Sequence, residues 1–183
     1  GGGGVWFRRD CAAGRRAVRG CEACLAAFPP FPGSTTYRRS GSEGMISLPV
    51  LLNGLGDETG FIDGGRGIFD NMGAYWDSIG FNHVWDIGDI EDQGFTTSWG
   101  VADEYLFTEA LKRMDAHAGD EATRDKPFFL SLLTVSNHRP YTYPENRIDQ
   151  DPAAKRPHHP APHPLWASGA FAERSRGPPW LHP

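Results

Sequence analysis

Ser131-Leu132-Leu133-Thr134-Val135-Ser136-Asn137-His138-Arg139-Pro140-Tyr141-Thr142-Tyr143-Pro144 is the stretch on which the reading of this chain turns. It starts inside a short apolar run, Pro127-Phe128-Phe129-Leu130, so residues 128–134 read as a buried strand. It ends in a polar loop punctuated by Pro140 and Pro144, which cannot continue a strand ladder. His138 and Arg139 therefore fall just past a strand end. In open α/β sheets, ligands bind at the carboxyl ends of the strands. Imidazole and guanidinium are also the usual donors to an anionic oxygen. Taken alone, His138 reads equally as a residue that caps a turn.

The segments upstream alternate helix and strand. Residues 47–54 read as a short helix, with Ser47 as N-cap, Pro49 in the first turn and Gly54 or Gly56 as terminator. Residues 59–62 follow as a strand, and residues 70–79 as a second helix with Met72, Tyr75, Trp76 and Ile79 on one face. The longest helix is expected over 101–117, its apolar stripe formed by Leu106, Ala110, Leu111 and Met114. Helix-to-strand units of this kind predict an α/β fold with a mainly parallel sheet. Trp99 and Phe107 are expected in the core. Asp103 and Glu104 are adjacent, so they do not share a helix face, and they are read as structural rather than as a catalytic pair. Gly64-Gly65-Arg66-Gly67 is either a place where backbone approaches a ligand closely or a loop that needs positive φ.

Three blocks occur in one order: Phe61-Ile-Asp-Gly-Gly-Arg-Gly-Ile-Phe-Asp-Asn-Met72, Trp99-Gly-Val-Ala-Asp-Glu-Tyr-Leu-Phe107, and Lys126 through Asp149. Together they resemble the lipoteichoic acid synthase and phosphoglycerol transferase branch of the sulfatase and alkaline phosphatase superfamily. The resemblance implies a partial alkaline-phosphatase-like α/β/α sandwich. It implies transfer of phosphoglycerol from a phospholipid to a glycan or polymer acceptor, or hydrolysis of a sulfuric ester or phosphodiester. In intact relatives a divalent metal of the manganese, magnesium or zinc class activates the nucleophile and steadies the charge on oxygen. The partner implied is an anionic lipid headgroup or a phosphate or sulfate ester. The family is anchored in the inner membrane with an extracytoplasmic catalytic domain.

The same resemblance assigns residues. Gly14 through Ala23 matches the turn-into-helix block that carries the family's threonine nucleophile, and Ala17 stands at the nucleophile position. A methyl group neither attacks nor binds metal. The family's acidic ligand would lie before residue 1, and the tail holds no Asp-His pair, so no metal ligand and no cofactor are expected in this chain. His138 matches a histidine that contacts the substrate's anionic group. Arg139 and Asn71 complete the substrate-side candidates, Asn71 lying where some relatives carry a tryptophan and an arginine for phosphate contact. The chain as written is expected to be inactive, and a non-catalytic remnant that binds an anion or a partner is the rival reading.

Composition bounds these readings. The chain has 183 residues and a formal net charge of -5, which gives nucleic acid no advantage as a partner. No apolar run approaches the ~20 residues needed to span a bilayer, and no signal peptide is visible. Localisation therefore stays open. Cys21 and Cys24 have the spacing of a redox pair or half a zinc site, but no second such pair or paired His follows. Residues 1–13 read as an irregular segment, 14–150 as the partial catalytic domain, and 151–183 as a Pro- and His-rich tail without regular structure. His158, His159 and His163 belong to that tail. The pattern reads as a fragment of a longer coding sequence.

Overall fold

The computed structural model describes residues 17–27, 46–68, 71–139, 142–146 and 167. The expected irregular segment, nearly all of the expected tail and the histidines at 158, 159 and 163 lie outside these residues. Helix α1 spans Ala17–Ala26 and α2 spans Leu48–Leu55. Strand β1 is Glu58–Asp63, α3 is Met72–Ser78 and β2 is His83–Trp85. A 3₁₀ turn over Ile87–Asp89 leads to α4, Asp103–Gly119, and β3 is Phe128–Leu133.

Among the described residues the strands form one parallel sheet in the order β2-β1-β3. Glu58 pairs with Phe128 and Asp63 with Leu133 across the β1–β3 ladder, so both strands end at the same edge. The chain moves from β1 to β2 on one side, then back across β1 to β3. Right-handed crossovers then place the two connecting helices on opposite faces. The core follows this division. Phe61 packs with Met72, Tyr75, Trp76, Ile79 and Phe81 from the α3 side, where Leu25 of α1 joins. Its neighbour Ile62 points the other way, to Ile90, Val101, Leu106 and Ala110 on the α4 side. That alternation in a doubly covered strand is the α/β/α sandwich expected from the sequence.

The best-filled part of the core is aromatic. Phe61 stacks on Trp76 with centroids 4.5 Å apart, and Tyr75 meets Trp76 edge-on at 4.9 Å. All three are at most 2% exposed. Removing each from water contributes about 3 kcal/mol, and ring geometry of this kind adds about 1. The face predicted for α3 is thus the face that is buried.

Local chemistry explains the element ends. Ser47 caps α2 by accepting from Val50 N–H, and its own hydroxyl donates to the Ile79 carbonyl. Gly56 closes α2 in a left-handed conformation, φ 95°, returning its N–H to Asn53. Asn53 and Asn82 both hold Thr59 at the start of β1, with side-chain contacts of 2.9 and 3.1 Å. Two expectations need correction. Helix α4 begins at Asp103 rather than 101, because Val101 is held in an isolated bridge with Thr96. Strand β3 is half-buried along its length rather than buried, as an outer strand of the described sheet.

Candidate functional site

The carboxyl edge of the sheet is assembled from three chain segments. Strand β1 ends at Asp63, followed by Gly64 and Gly65. β2 gives way to Asp86, and β3 to residues 134–139. Gly64 N–H donates to Leu133 O at 3.0 Å, tying the first loop to the end of β3. Gly67 N–H donates to the Asp86 carboxylate at 2.9 Å, and Ile87 N–H to Gly65 O at 3.0 Å, tying it to the end of β2.

A fourth segment, residues 95–102, lies across the loop after β1. Val101 N–H donates to Gly64 O at 2.9 Å, and Ala102 N–H to Phe95 O at 2.9 Å. Gly100 sits at φ 151°, and a Cβ there would collide with the Gly64 carbonyl. A Cβ at Gly65 would lie 2.8 Å from the Trp99 carbonyl oxygen. Close backbone approach is seen at the glycine cluster, and positive φ is not. None of Gly64, Gly65 and Gly67 has a left-handed φ. What approaches, however, is the chain itself.

Asp63 is 2% exposed. One carboxylate oxygen accepts from Gly65 N–H at 2.8 Å, and the other has no hydrogen-bond partner among the described residues. Burial pushes its pKa above the ordinary carboxylate range. The Gly65 N–H opposes that shift, and the charge of Asp86 adds to it. Asp63 also acts electrostatically on Cys21, which packs against the Phe61 cluster. Cys21 itself is pushed up to about 11, by burial first and then by Cys24, Asp63 and Glu22. Cys21 and Cys24 are both free thiols, and Cys21, its thiol held neutral by burial, is a poor nucleophile and metal ligand.

His138 and Arg139 are exposed just beyond β3, as the sequence predicts. His138 N–H donates to Val135 O at 3.0 Å, closing a turn. Its ring stacks on Trp99, centroids 3.5 Å apart and planes 28° from parallel. Trp99 is 36% exposed, which corrects the expectation that it belongs to the core. Its indole N–H donates to the Arg139 carbonyl at 2.7 Å. Asp103 is structural, as expected, and fully buried. Its carboxylate accepts from Val135 N–H at 3.1 Å and Ser136 N–H at 3.0 Å, and its own N–H donates to the Ser136 hydroxyl at 3.0 Å. Asn71 is exposed at the start of α3 with φ 61°, its side chain making no capping bond. Ala17 is the first residue of α1.

Sequence reasoning missed the Trp99–His138 pair and the tie from Asp103 to the β3 loop. The signal was the second block itself, which places Trp99 and Asp103 at the carboxyl edge beside β3. Among the described residues no three His, Cys, Asp or Glu side chains converge, so these residues do not assemble a metal site. Among them, too, no helix is long and apolar enough to cross a membrane.

A parallel sheet covered on both faces, with an exposed imidazole and guanidinium at its carboxyl edge, is an α/β arrangement open to an anionic ligand at that edge. The chain belongs to the Sulfatase family, whose model matches residues 4–173. That span is wider than the 14–150 carried by the motifs. A protein in the alkaline phosphatase superfamily from Vibrio parahaemolyticus is 33% identical, with a TM-score of 0.80 over 92% of this chain and 41% of that one. The lipoteichoic acid synthase LtaP from Listeria monocytogenes shares the fold, with a TM-score of 0.68 and 18% identity over 84% of this chain and 38% of that one. The lipoteichoic acid synthase-like protein YvgJ of Bacillus subtilis is 27% identical over 78 residues, 42% of this chain and 12% of that protein. The chain therefore spans well under half the length of these relatives. Members of this superfamily are typically metal-dependent.

Proposed function

We propose that this chain is the substrate-side part of a phosphoglycerol transferase catalytic domain. The whole protein moves a phosphoglycerol headgroup from a phospholipid to a glycan or polymer acceptor, at the outer face of the membrane that anchors it. The observation that carries the reading is the position of His138. It stands one turn past β3, exposed, at the carboxyl edge of a parallel sheet in a Sulfatase-family chain. From there its imidazole donates to the anionic oxygens of the phosphoryl group, Arg139 adds positive charge, and Asn71 approaches from the start of α3. Similarity to lipoteichoic acid synthase-like proteins favours a phosphoglycerol donor over a sulfuric ester.

The chain by itself is catalytically incomplete in this reading. Ala17 occupies the start of α1, where the family's threonine nucleophile is expected, and offers no oxygen for phosphoryl capture. The described residues supply no convergent donor set for the divalent ion. Residues 14–150 form the partial catalytic domain.

The test is release of diacylglycerol from phosphatidylglycerol vesicles. This chain and its Ala17→Thr variant should both be inactive. An extended chain carrying threonine at 17, the acidic ligand and the Asp-His pair should be active with added manganese. In that form His138→Ala should lower kcat/KM about a hundredfold or more. Turnover by the chain as written, or no loss with His138→Ala in the active form, would overturn the proposal.

A further inference from the structure

The turn that carries His138 is held from outside by one segment, residues 99–103, and its hydrogen bonds specify more than its place. The Asp103 carboxylate receives the consecutive N–H groups of Val135 and Ser136, while the Ser136 hydroxyl receives Asp103 N–H. Asp103 and Ser136 are buried and Val135 is half-buried. Charge-assisted bonds to backbone N–H groups are about twice as strong as neutral ones, so the backbone three residues before the imidazole is fixed. The second contact fixes the ring. The Trp99 indole lies flat against the imidazole and donates to the Arg139 carbonyl at 2.7 Å. That same carbonyl oxygen lies 3.3 Å from His138 Nδ1. A carbonyl only accepts, so a bond there requires Nδ1 to carry the proton. Nε2 is then the ring nitrogen left for a ligand, and it has no hydrogen-bond partner among the described residues.

We propose that Asp103 and Trp99 are positioning residues for His138: the buried carboxylate sets the turn, the indole sets the ring plane, and the Arg139 carbonyl they hold in place selects the Nδ1–H tautomer, so that Nε2 faces the phosphoryl group. The proposal deepens the reading above and rests on it only for what Nε2 meets. Neutral imidazole in this tautomer presents an acceptor at Nε2, and on protonation the same nitrogen becomes a donor aimed in the same direction. The ring binds an anion without first having to turn. Gly100 belongs to the device, because only a residue without Cβ lets the chain between Trp99 and Asp103 lie on Gly64.

The tautomer is read directly from long-range proton–nitrogen correlation spectra of the chain labelled with ¹⁵N-histidine, His138 being assigned by its loss in His138→Gln. The wild type should show protonated Nδ1 and bare Nε2 at alkaline pH, with the ring proton shifted upfield by the indole face. Trp99→Phe keeps a ring to stack on but loses the N–H. The upfield shift should survive, and the Nδ1–H to Nε2–H ratio should fall about fivefold, the size of one hydrogen bond. Trp99→Leu should lose both signatures. Asp103→Ala should also lose them, and Asp103→Asn, which keeps an accepting oxygen, should restore most of the tautomer preference. If Asp103→Ala does not fold, the Trp99 variants decide the matter alone, since that side chain is partly exposed. A wild-type Nε2–H tautomer, or unchanged signatures in Trp99→Leu, would overturn the proposal. The measurement needs no ligand or turnover. Its failure is therefore separate from failure of the functional reading, which shows as absent activity in the vesicle assay.

Discussion

Two loops leave the carboxyl edge of the sheet side by side, and they are built in opposite ways. The loop after β1 turns inward. Asp63, Gly64 and Gly65 are buried, and their backbone groups bond to β3, to Ile87 and to Val101. The loop after β3 turns outward and exposes Asn137, His138 and Arg139. Each loop contacts a buried aspartate, but the two aspartates serve differently. Asp63 accepts one N–H from its own loop, and like Asp103 it keeps a second oxygen without a hydrogen-bond partner among the described residues. Asp103 reaches from α4 to take two N–H groups of the other loop. The contrast teaches that the exposed, chemically useful loop owes its order to a neighbouring element. The β1 loop is the anvil on which the 95–102 segment rests, and that segment holds the imidazole.

The largest expected effect comes from breaking the contact between these regions. Gly100→Ala combines an unfavourable φ with a collision against Gly64, and should cost about 4 kcal/mol in denaturant unfolding. Much of a marginal domain's stability would go with it. If the variant is as stable as the wild type, the 95–102 segment does not lie on Gly64 as described. Next is Asp103→Ala, which leaves one buried and one half-buried N–H group without their charged acceptor and should cost about 3 kcal/mol. Amide exchange at Val135 and Ser136 should accelerate more than exchange in α3. Uniform acceleration would mean that Asp103 supports the whole domain rather than one loop. Trp99→Leu should cost only about 1 kcal/mol, because the indole is partly exposed, while freeing the His138 ring.

The smallest effect is a pH dependence on the buried loop. Burial, reinforced by Asp86 and opposed by Gly65 N–H, holds Asp63 above its usual range. A carboxyl raised in the folded state contributes stability that is complete below its unfolded pKa and is lost as pH rises through the folded one. Cys21, Cys24 and Glu22 of α1, together with Tyr75 and Asp86, are titratable groups near this end of the sheet. Asp63→Asn should therefore flatten the fall in Tm between acid and neutral pH. An identical pH profile for wild type and variant would remove Asp63 as its source.

Much of this scaffold was legible in the sequence. Ser47, Pro49 and Gly56 bracket α2 as local capping rules require, and Met72, Tyr75, Trp76 and Ile79 mark the buried face of α3 by spacing alone. Strand β3 shows as an apolar run, and β1 as the strand that follows the capped helix α2. β2 escaped notice because His83-Val84-Trp85 is three residues long and exposed or half-buried, so pairing with β1 rather than composition makes it a strand. Trp99 was misplaced for a related reason. An indole is apolar enough for any core, and only the φ of Gly100 and the turn at His138 turn it toward the edge. The exposed pair is a tertiary product, and no local rule encodes it.

The account's central claim is that ligand recognition belongs to the outward loop and not to the buried one. Titration of the isotopically labelled chain with glycerol phosphate tests it most directly. The account predicts saturable shifts at His138 Nε2 and at the amides of residues 137–139, with Gly64, Gly65 and Gly67 unmoved. Saturable shifts confined to the β1 loop, with His138 unchanged, would contradict it.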